Sequence, residues 1–262
     1  MPVDDPDLAL ATDAAVEAGG LAARLFRDGV ERWTKPGNSV VTEADIAVDK
    51  LLNDRLSGAR PDYGWLSEET TDDLARLDHE TIWVVDPIDG TRAFVDGGDE
   101  WTISIGLVRA GVTIAGVIHN PLRGETYRAL RGQGAERNGQ KMTLTPPDRR
   151  SPELRIAGPK YGVKRLSLRA DDAVFVPSLA YRLAQVADSV FHASVSSGNA
   201  HEWDVAAGCL IVEEAGGRVV TLDGEAVRFN KLEPKVPSLI AGEAGLVDRL
   251  LDRVDRETEI GQ

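Results

Sequence analysis

The stretch that decides the fold is a short apolar run ending in an acidic turn, Trp83-Val84-Val85-Asp86-Pro87-Ile88-Asp89-Gly90-Thr91. The apolar residues predict a buried strand that delivers Asp86, and the proline then turns the chain. Asp89 follows three residues later, so both carboxylates can point into one space beside the carbonyl of Ile88. Such oxygens suit a hard cation like Mg²⁺, and Gly90 lets the backbone approach a ligand. An ordinary proline turn would explain Asp-Pro-x-Asp alone, but the six-residue motif behind an apolar strand favours the cation site.

Three other acidic segments have two interpretations each. Glu68-Glu69 closes a short apolar strand and would be an exposed acidic pair if it stood alone. Thr42-Glu43-Ala44-Asp45 has the pattern of a capping box at the start of a helix. Asp204 opens an apolar helix, where the helix dipole stabilises a carboxylate. Capping and cation binding are compatible, so Asp45 and Asp204 are candidates for both.

Helices and strands alternate along the whole chain. The apolar spacing predicts helices over 7–28, 42–56, 160–169, 178–186, 204–215 and 243–254. It predicts strands over 64–66, 81–85, 102–108, 112–118, 126–130, 154–157, 174–176, 191–195 and 218–222. Gly, Pro, Asn and Arg dominate between about 131 and 152, which predicts two lobes, 1–133 and 134–262. The pattern is typical of a mixed, layered α/β (α+β) architecture.

The composition limits the partners and the compartment. The 262 residues include 43 acidic and 30 basic side chains, for a formal net charge of −13. This acidity argues against nucleic-acid polymers and anionic membranes, because both are bound by clustered lysines and arginines. Cys209 stands alone in an apolar run, so we expect a core residue and no disulfide or cysteine-based zinc site. We also expect a cytoplasmic protein with neither a signal peptide nor a membrane span.

Taken together, the acidic segments resemble the Mg²⁺-dependent, lithium-sensitive superfamily of inositol monophosphatases, fructose-1,6-bisphosphatases and 3'(2'),5'-bisphosphate nucleotidases. The matching segments appear in the family's order at residues 41–45, 67–69, 86–91 and 203–208, with 213–217 behind them. The resemblance implies a layered α-β-α-β-α sandwich of the sugar-phosphatase type, often assembled as a homodimer. It assigns most metal ligands to the N-terminal lobe, and Asp204 and the specificity surface to the C-terminal lobe.

The resemblance also implies a site for two or three Mg²⁺ ions. The implied ligands of the first ion are Glu68, Asp86 and the carbonyl of Ile88. Those of the second are Asp86, Asp89 and Asp204, so Asp86 bridges the two ions. The four carboxylates bring a charge of about −4 and two Mg²⁺ ions about +4, so only the loaded site accepts a phosphate dianion. Phosphoryl transfer needs positioning and charge neutralisation rather than a nucleophilic side chain.

The remaining implied roles concern water and substrate. Thr91 with Asp45, and Glu68, match the catalytic groups that position and activate the attacking water. The implied substrate-binding residues are Asp89, Gly90, Thr91 and Asp204. The four histidines are scattered without metal-ligand spacing, and we expect His201 to be a surface residue rather than a substrate contact.

Details of the N-terminal half favour the bisphosphate nucleotidase branch of this family. Residues 35–47 are similar to that branch's Asn-Ser-x-Val-Thr-x-Ala-Asp-Ile-Ala stretch. Ser67 precedes the glutamate pair, where inositol monophosphatases usually have glycine. Arg92-Ala93-Phe94 and Glu100-Trp101-Thr102 resemble the nucleotidase's basic-x-Phe and Glu-Phe-Thr segments.

The C-terminal half both supports that branch and departs from it. Ser197 stands where inositol monophosphatases place a sugar-binding glutamate, and Gly198 matches the nucleotidase spacing. However, Val176-Pro177-Ser178-Leu179 replaces the nucleotidase's Gly-Ser-Ser-Leu, and residues 194–199 include no basic side chain for a second phosphate. Basic side chains do occur on a predicted helix, where an ordinary basic face is the plainer interpretation: Lys160, Lys164 and Arg165.

The sequence therefore predicts a Mg²⁺-dependent phosphomonoesterase that acts on a small phosphorylated metabolite. The preferred substrate is 3'-phosphoadenosine 5'-phosphate, converted to AMP and phosphate by metal-activated water. The first alternative is an inositol monophosphatase or a broader sugar phosphatase. The second is a non-catalytic regulatory protein on the same fold, which the intact acidic set argues against. A dinucleotide-binding enzyme is not expected, because no strand runs into Gly-x-Gly-x-x-Gly.

Overall fold

The computed structural model of the protein describes residues 5–34, 40–147, 154–169, 173–198 and 200–254. These residues form two large β-sheets, two small two-stranded sheets and three layers of helices. The helices are α1 (Pro6–Asp28), α2 (Glu43–Ala59), α3 (Thr91–Val95), α4 (Lys160–Arg165), α5 (Leu179–Ala187), α6 (Glu202–Glu214) and α7 (Ala244–Leu251), with a 3₁₀ helix at Ala75–Asp78. The strands are β1 (Arg32–Thr34), β2 (Val40–Thr42), β3 (Gly64–Ser67), β4 (Thr81–Asp89), β5 (Thr102–Arg109), β6 (Val112–Asn120), β7 (Glu125–Leu130), β8 (Gly134–Arg137), β9 (Gln140–Met142), β10 (Ile156–Ala157), β11 (Ala173–Val174), β12 (Ala193–Val195), β13 (Ala200–His201), β14 (Arg218–Thr221), β15 (Lys235–Val236) and β16 (Leu239–Gly242). The two small sheets are β1-β2 and β13-β15.

The larger sheet has seven strands in the order β3-β4-β5-β6-β7-β8-β9. Only the β3–β4 pair is parallel. Side chains of β4 alternate between the two faces: Trp83 and Val85 pack with α1 and α2, whereas Ile82 and Val84 pack in the core that contains α5 and α6. Both faces are covered, which explains why β4 is an unbroken apolar run rather than an alternating one.

The smaller sheet has five strands in the order β11-β10-β12-β16-β14. Helices α5 and α6 contact its inner face as well as the larger sheet. Its other core contains Val163 of α4 and Leu246, Val247 and Leu250 of α7. The layers therefore run α1/α2, sheet, α5/α6, sheet, α4/α7, and the predicted α-β-α-β-α sandwich of mixed α/β class is confirmed.

Helix α6 lies unusually close to the larger sheet because two glycines face it. A Cβ on Gly106 of β5 would be 2.9 Å from the Cβ of Ala206, and one on Gly116 of β6 would be 3.0 Å from the Cα of Ala207. The start of the same helix is held by Ser104 of β5, whose hydroxyl donates to the carbonyl of Trp203 at 3.3 Å. Ser104 pairs with Asp86 across β4 and β5, so this packing brings the beginning of α6 to the end of β4.

Several element bounds differ from the sequence-based expectations. The strand predicted over 81–85 continues to Asp89, and β8 and β9 extend the larger sheet past residue 133. The helix predicted over 160–169 ends at Arg165, because Ser167 adopts a positive φ of 53°. The predicted boundary between lobes falls partly on residues 148–153, outside the described residues, and the division into two lobes stays a prediction.

Candidate active site

The acidic motif lies at a bulge where β4 leaves the larger sheet. Asp86 pairs with Ser104 and Asp89 with Thr102, so β4 has one residue more than β5 between these pairs. Asp86 Oδ1 accepts the backbone N–H of Ile88 at 3.0 Å, which fixes the bend. Gly90 follows with φ 98°, and a Cβ there would be 2.9 Å from the carbonyl oxygen of Glu100. The bulge therefore aims both aspartates at one point, and only glycine fits behind them.

Three carboxylates converge at this point. Asp86, Asp89 and Asp204 each offer an oxygen, and these oxygens all lie within 4.8 Å of one another. Asp89 Oδ2 accepts the hydroxyl of Ser178 and the backbone N–H of Ala180, both at 2.5 Å. Asp204 Oδ2 accepts the backbone N–H of His201 at 2.7 Å, as the reciprocal bond of a helix cap. One oxygen of each carboxylate is thus fixed by the protein, which orients the group toward the cluster.

The electrostatics of the cluster favour a bound cation. Burial, and then the charge of Glu68, raise the pKa of Asp86 well above its usual value. Burial, and then the charge of Asp89, raise the pKa of Asp204 to about 7. Carboxylates held this close in a buried place repel one another, and a divalent cation between them relieves both the repulsion and the loss of hydration. The all-oxygen donor set fits a hard cation such as Mg²⁺.

Glu68 approaches the cluster from the neighbouring strand. Its backbone N–H donates to the carbonyl of Val85 at 3.3 Å, so it follows β3 directly beside Asp86. Its carboxylate is not one of the three that converge within 4.8 Å, but it lines the same cleft. The structure therefore places Glu68 beside the three clustered carboxylates, where its charge acts on Asp86.

A residue that the sequence did not single out holds the Glu68 segment. Asp49 of α2 is buried, and its carboxylate accepts the hydroxyl of Ser67 at 2.5 Å and that of Thr70 at 2.8 Å. Asp49 lies four residues after Asp45 and therefore on the same face of α2. That spacing is the signal that could have found it.

Asp45 and Thr91 form the predicted pair. Asp45 is 2% exposed, and its Oδ2 accepts the backbone N–H of Thr42 at 2.8 Å and the Thr42 hydroxyl at 2.6 Å. Its Oδ1 lies 3.2 Å from the hydroxyl of Thr91, which also lies 3.1 Å from the carbonyl oxygen of Ile88. The hydroxyl proton can be donated to either of these acceptors, so the oxygen of Thr91 keeps lone pairs that can accept a hydrogen bond from a water.

The carboxylate cluster and Thr91 line one cleft of about 890 Å³, within the range of small-molecule sites, whereas Asp45 lies behind Thr91 and does not line it. Its floor includes the predicted residues Glu68, Asp86, Asp89, Gly90, Thr91 and Asp204. Two residues that the sequence did not single out, Phe175 and Arg182, belong to its wall. Phe175 is 67% exposed, whereas Arg182 is only 7% exposed.

Several other candidates lie away from the cleft. Lys160, Lys164 and Arg165 do not line it, and Arg165 donates to the hydroxyl of Ser238 at 3.1 Å. The ring of His201 stacks on Trp203 at 4.6 Å and is also absent from the cleft lining. Cys209 is buried in the core, as expected. Of the stretch that resembles the nucleotidase branch, residues 35–39 lie outside the described residues, as does Asn199.

A layered α-β-α-β-α sandwich with a carboxylate cluster at a strand end defines a class of metal-dependent phosphatases. The family model described as "Inositol monophosphatase family" matches residues 4–256. The chain therefore belongs to the inositol monophosphatase family and is a phosphatase of that family. The family is Mg²⁺-dependent, and the cluster of Asp86, Asp89 and Asp204 offers the ligands that such an ion needs.

Relatives with different names cover most of the chain. A "Nus factor SuhB" of Pasteurella multocida is 32% identical over 237 residues, which are 84% of this chain and 86% of that protein. A "3'(2'),5'-bisphosphate nucleotidase CysQ" of Aggregatibacter actinomycetemcomitans is 30% identical over 247 residues, 88% of this chain and 90% of that protein. The solved structure of a Thermotoga maritima IMPase superposes with a TM-score of 0.80 at 25% identity, covering 94% of this chain and 95% of that one.

Within the described residues, no helix is both long enough and apolar enough to cross a membrane.

Proposed function

We propose that this phosphatase is a Mg²⁺-dependent phosphomonoesterase that converts 3'-phosphoadenosine 5'-phosphate to AMP and phosphate. The observation that carries the catalytic part is the convergence of Asp86, Asp89 and Asp204 within 4.8 Å at the floor of an open cleft. We assign Glu68, which lines the same cleft, and the carbonyl of Ile88, which accepts the Thr91 hydroxyl, as further oxygen ligands. Bound Mg²⁺ would supply Lewis acidity toward the phosphoryl oxygens and lower the pKa of water.

The chain's own residues then have separable tasks. The carboxylates of the floor would hold the cations, and each carboxylate is oriented by a hydrogen bond to one of its oxygens. Thr91 orients the attacking water and passes its proton toward Asp45, whose carboxylate lies 3.2 Å from the hydroxyl. The backbone at Gly90 and Thr91 contacts the phosphate that is hydrolysed. No covalent step on the protein is required.

The wall of the cleft supports a nucleotide rather than a sugar phosphate. Phe175 presents an exposed ring at the cleft, and aromatic rings are the usual stacking surface for a nucleobase. Arg182 is a cation in the same wall. A polyol such as inositol is bound through hydrogen bonds to its hydroxyls, and Ser197 offers no carboxylate at the position where a sugar-binding glutamate would stand.

Phosphate release from three substrates at equal concentration tests this proposal: 3'-phosphoadenosine 5'-phosphate, inositol 1-phosphate and fructose 1,6-bisphosphate. We expect the first to have the highest kcat/KM and all activity to stop when EDTA removes the metal. Faster turnover of inositol 1-phosphate by a large factor would favour the inositol monophosphatase alternative. The absence of phosphate release from all three would favour the non-catalytic regulatory role, for which the SuhB relative named as a Nus factor is the supporting observation. We also propose a cytoplasmic homodimer that Li⁺ inhibits in competition with Mg²⁺.

A further inference from the structure

Arg182 lines the cleft but has no task in the catalytic chemistry. It lies on α5, where every residue from Leu179 to Ala187 is buried. Its Nη1 makes a long bond of 3.4 Å to the carbonyl of Val195. Its Nε has no hydrogen-bond partner among the described residues. An arginine is seldom buried with its donors unsatisfied, because the cost of lost hydration is then not recovered.

The charges around Arg182 change when the site is loaded. The charges of Asp89 and Asp204 act on its guanidinium and favour its charged form. Both belong to the cluster that fits a divalent cation. Once cations occupy that cluster, the negative charge of the two carboxylates is shared with them, and Arg182 is left as a buried positive charge beside the cleft. An anionic group on the ligand would balance it.

The cleft surface beside Arg182 also offers a hydrogen-bond donor, the hydroxyl of Ser197. Ser197 is exposed, lines the same cleft and follows the strand whose last residue, Val195, contacts Arg182. Residues 193–198 include no acidic side chain that would repel an anion. The hydroxyl of Ser196 is already engaged, because it accepts the backbone N–H of Leu239 at 3.0 Å. A guanidinium and a hydroxyl at one wall suit a phosphate or carboxylate.

We propose that Arg182, assisted by Ser197, binds a second anionic group carried by the leaving-group part of the substrate, separate from the phosphate that is hydrolysed. The inference rests on the proposed phosphatase function and defines its substrate class as doubly anionic phosphate esters, such as nucleoside bisphosphates. It places this specificity on α5 rather than on the basic face of α4.

A matched pair of substrates tests the inference: 3'-phosphoadenosine 5'-phosphate and adenosine 3'-phosphate, which lacks the second anionic group. We expect the wild type to have a kcat/KM at least about 10-fold higher for the bisphosphate, since bonds to a charged group contribute on this scale. In Arg182→Gln this preference falls to about 1, and Arg182→Lys restores part of it. Arg24→Gln on the exposed side of α1 is the control and leaves the preference unchanged. An equal loss on both substrates would overturn the inference, because Arg182 would then act only by positioning Asp89 and Asp204.

Calorimetry of AMP and adenosine binding to the Mg²⁺-loaded protein gives a second readout that needs no turnover. AMP keeps the anionic group that Arg182 would hold, so we expect it to bind the wild type at least about 10-fold more tightly than adenosine, with the difference lost in Arg182→Gln. Equal binding of the two compounds by the wild type overturns the inference even if every variant fails to fold. If the wild type releases phosphate from no substrate but binds AMP more tightly than adenosine, the proposed phosphatase function is wrong and the anion site at Arg182 still stands.

Discussion

The floor and the wall of the cleft are built in different ways. The carboxylates of the floor follow long strands and the start of α6, and each is fixed by a hydrogen bond from a nearby residue. The wall residues lie close together in the C-terminal half, with Arg182 on α5 and Phe175 and Ser197 in loops, and Phe175 is 67% exposed. The comparison indicates that the reaction depends on carboxylates gathered from distant parts of the chain and fixed by hydrogen bonds, whereas the choice of substrate depends on a short segment, residues 175–197.

The largest expected effect is on the floor. Asp86→Asn removes the carboxylate between Glu68, Asp89 and Asp204, and we expect kcat to fall by roughly a thousandfold or more on every substrate, because metal-ion stabilisation of the transition state amounts to several kcal/mol. Phosphate release at saturating Mg²⁺ measures it. The control is Asp54→Asn, at an exposed position of α2. Activity that survives Asp86→Asn would show that the floor does not hold the metal.

A smaller effect on activity is expected at Ser178, which orients the carboxylate of Asp89. Ser178→Ala removes the hydroxyl that donates to Asp89 at 2.5 Å. The loss of a group that orients a metal ligand typically weakens metal binding by about 10- to 100-fold. We therefore expect a higher Mg²⁺ concentration for half-maximal activity, with kcat largely recovered at high Mg²⁺. Ser57→Ala on α2 is the matched control. An unchanged Mg²⁺ dependence would mean that the backbone N–H of Ala180 suffices to hold Asp89.

The wall gives an effect that depends on the substrate. Phe175→Ala should lower kcat/KM for 3'-phosphoadenosine 5'-phosphate by about 10-fold, within the range expected for loss of one base-stacking contact. It should leave kcat/KM for inositol 1-phosphate unchanged, because that substrate has no planar ring to stack. Tyr161→Ala is the control, since this exposed aromatic lies outside the cleft. An equal loss of kcat/KM on both substrates would show that Phe175 affects the reaction itself and not the choice of substrate.

The smallest expected effect concerns stability without metal. Asp204 has a pKa of about 7 in the folded protein, above the ordinary value of 3.8. The unfolded chain therefore loses this proton first, and the group reduces stability as pH rises from about 4 to about 7. In the presence of EDTA, Asp204→Asn should have a higher Tm than the wild type at pH 8 but little difference at pH 4. Thermal unfolding followed by circular dichroism measures this. A lower Tm for the variant at pH 8 would contradict the expected charge repulsion.

The sequence could point to the residues of the floor because their signals are local, and the structure brings Asp86, Asp89 and Asp204 together. Asp86 to Thr91 form a continuous motif after an apolar strand. Asp45 and Asp204 lie in the first turns of helices, where a capping pattern can be recognised in the sequence. The layered architecture followed from the alternation of helices and strands. The proline predicts that β4 ends at Asp86-Pro87, whereas the strand continues to Asp89 because the bulge accommodates Pro87 within it.

The wall could not be predicted in the same way. Lys160, Lys164 and Arg165 were the basic side chains considered for a second phosphate, yet they do not line the cleft. Arg182 lines the cleft. Its sequence signal is that it is the only charged residue of a mostly apolar helix, Leu179–Ala187, and a charge in a fully buried helix needs a partner. Phe175 has no sequence signal, because an exposed aromatic beside a turn looks like any surface residue.

The contact between α6 and the glycines of the larger sheet has a consequence for the tolerance of the site. Asp86 and Asp204 are 118 residues apart in the chain, and α6 is seated against the larger sheet at Gly106, which meets the Cβ of Ala206, and at Gly116, which meets the backbone of Ala207. The side chains of Ala206 and Ala207 have no rotatable bond to heavy atoms that could absorb a change in this spacing. A larger residue at either glycine would therefore push α6 away from the sheet, move Asp204 away from Asp86 and widen the gap in which the ions must fit.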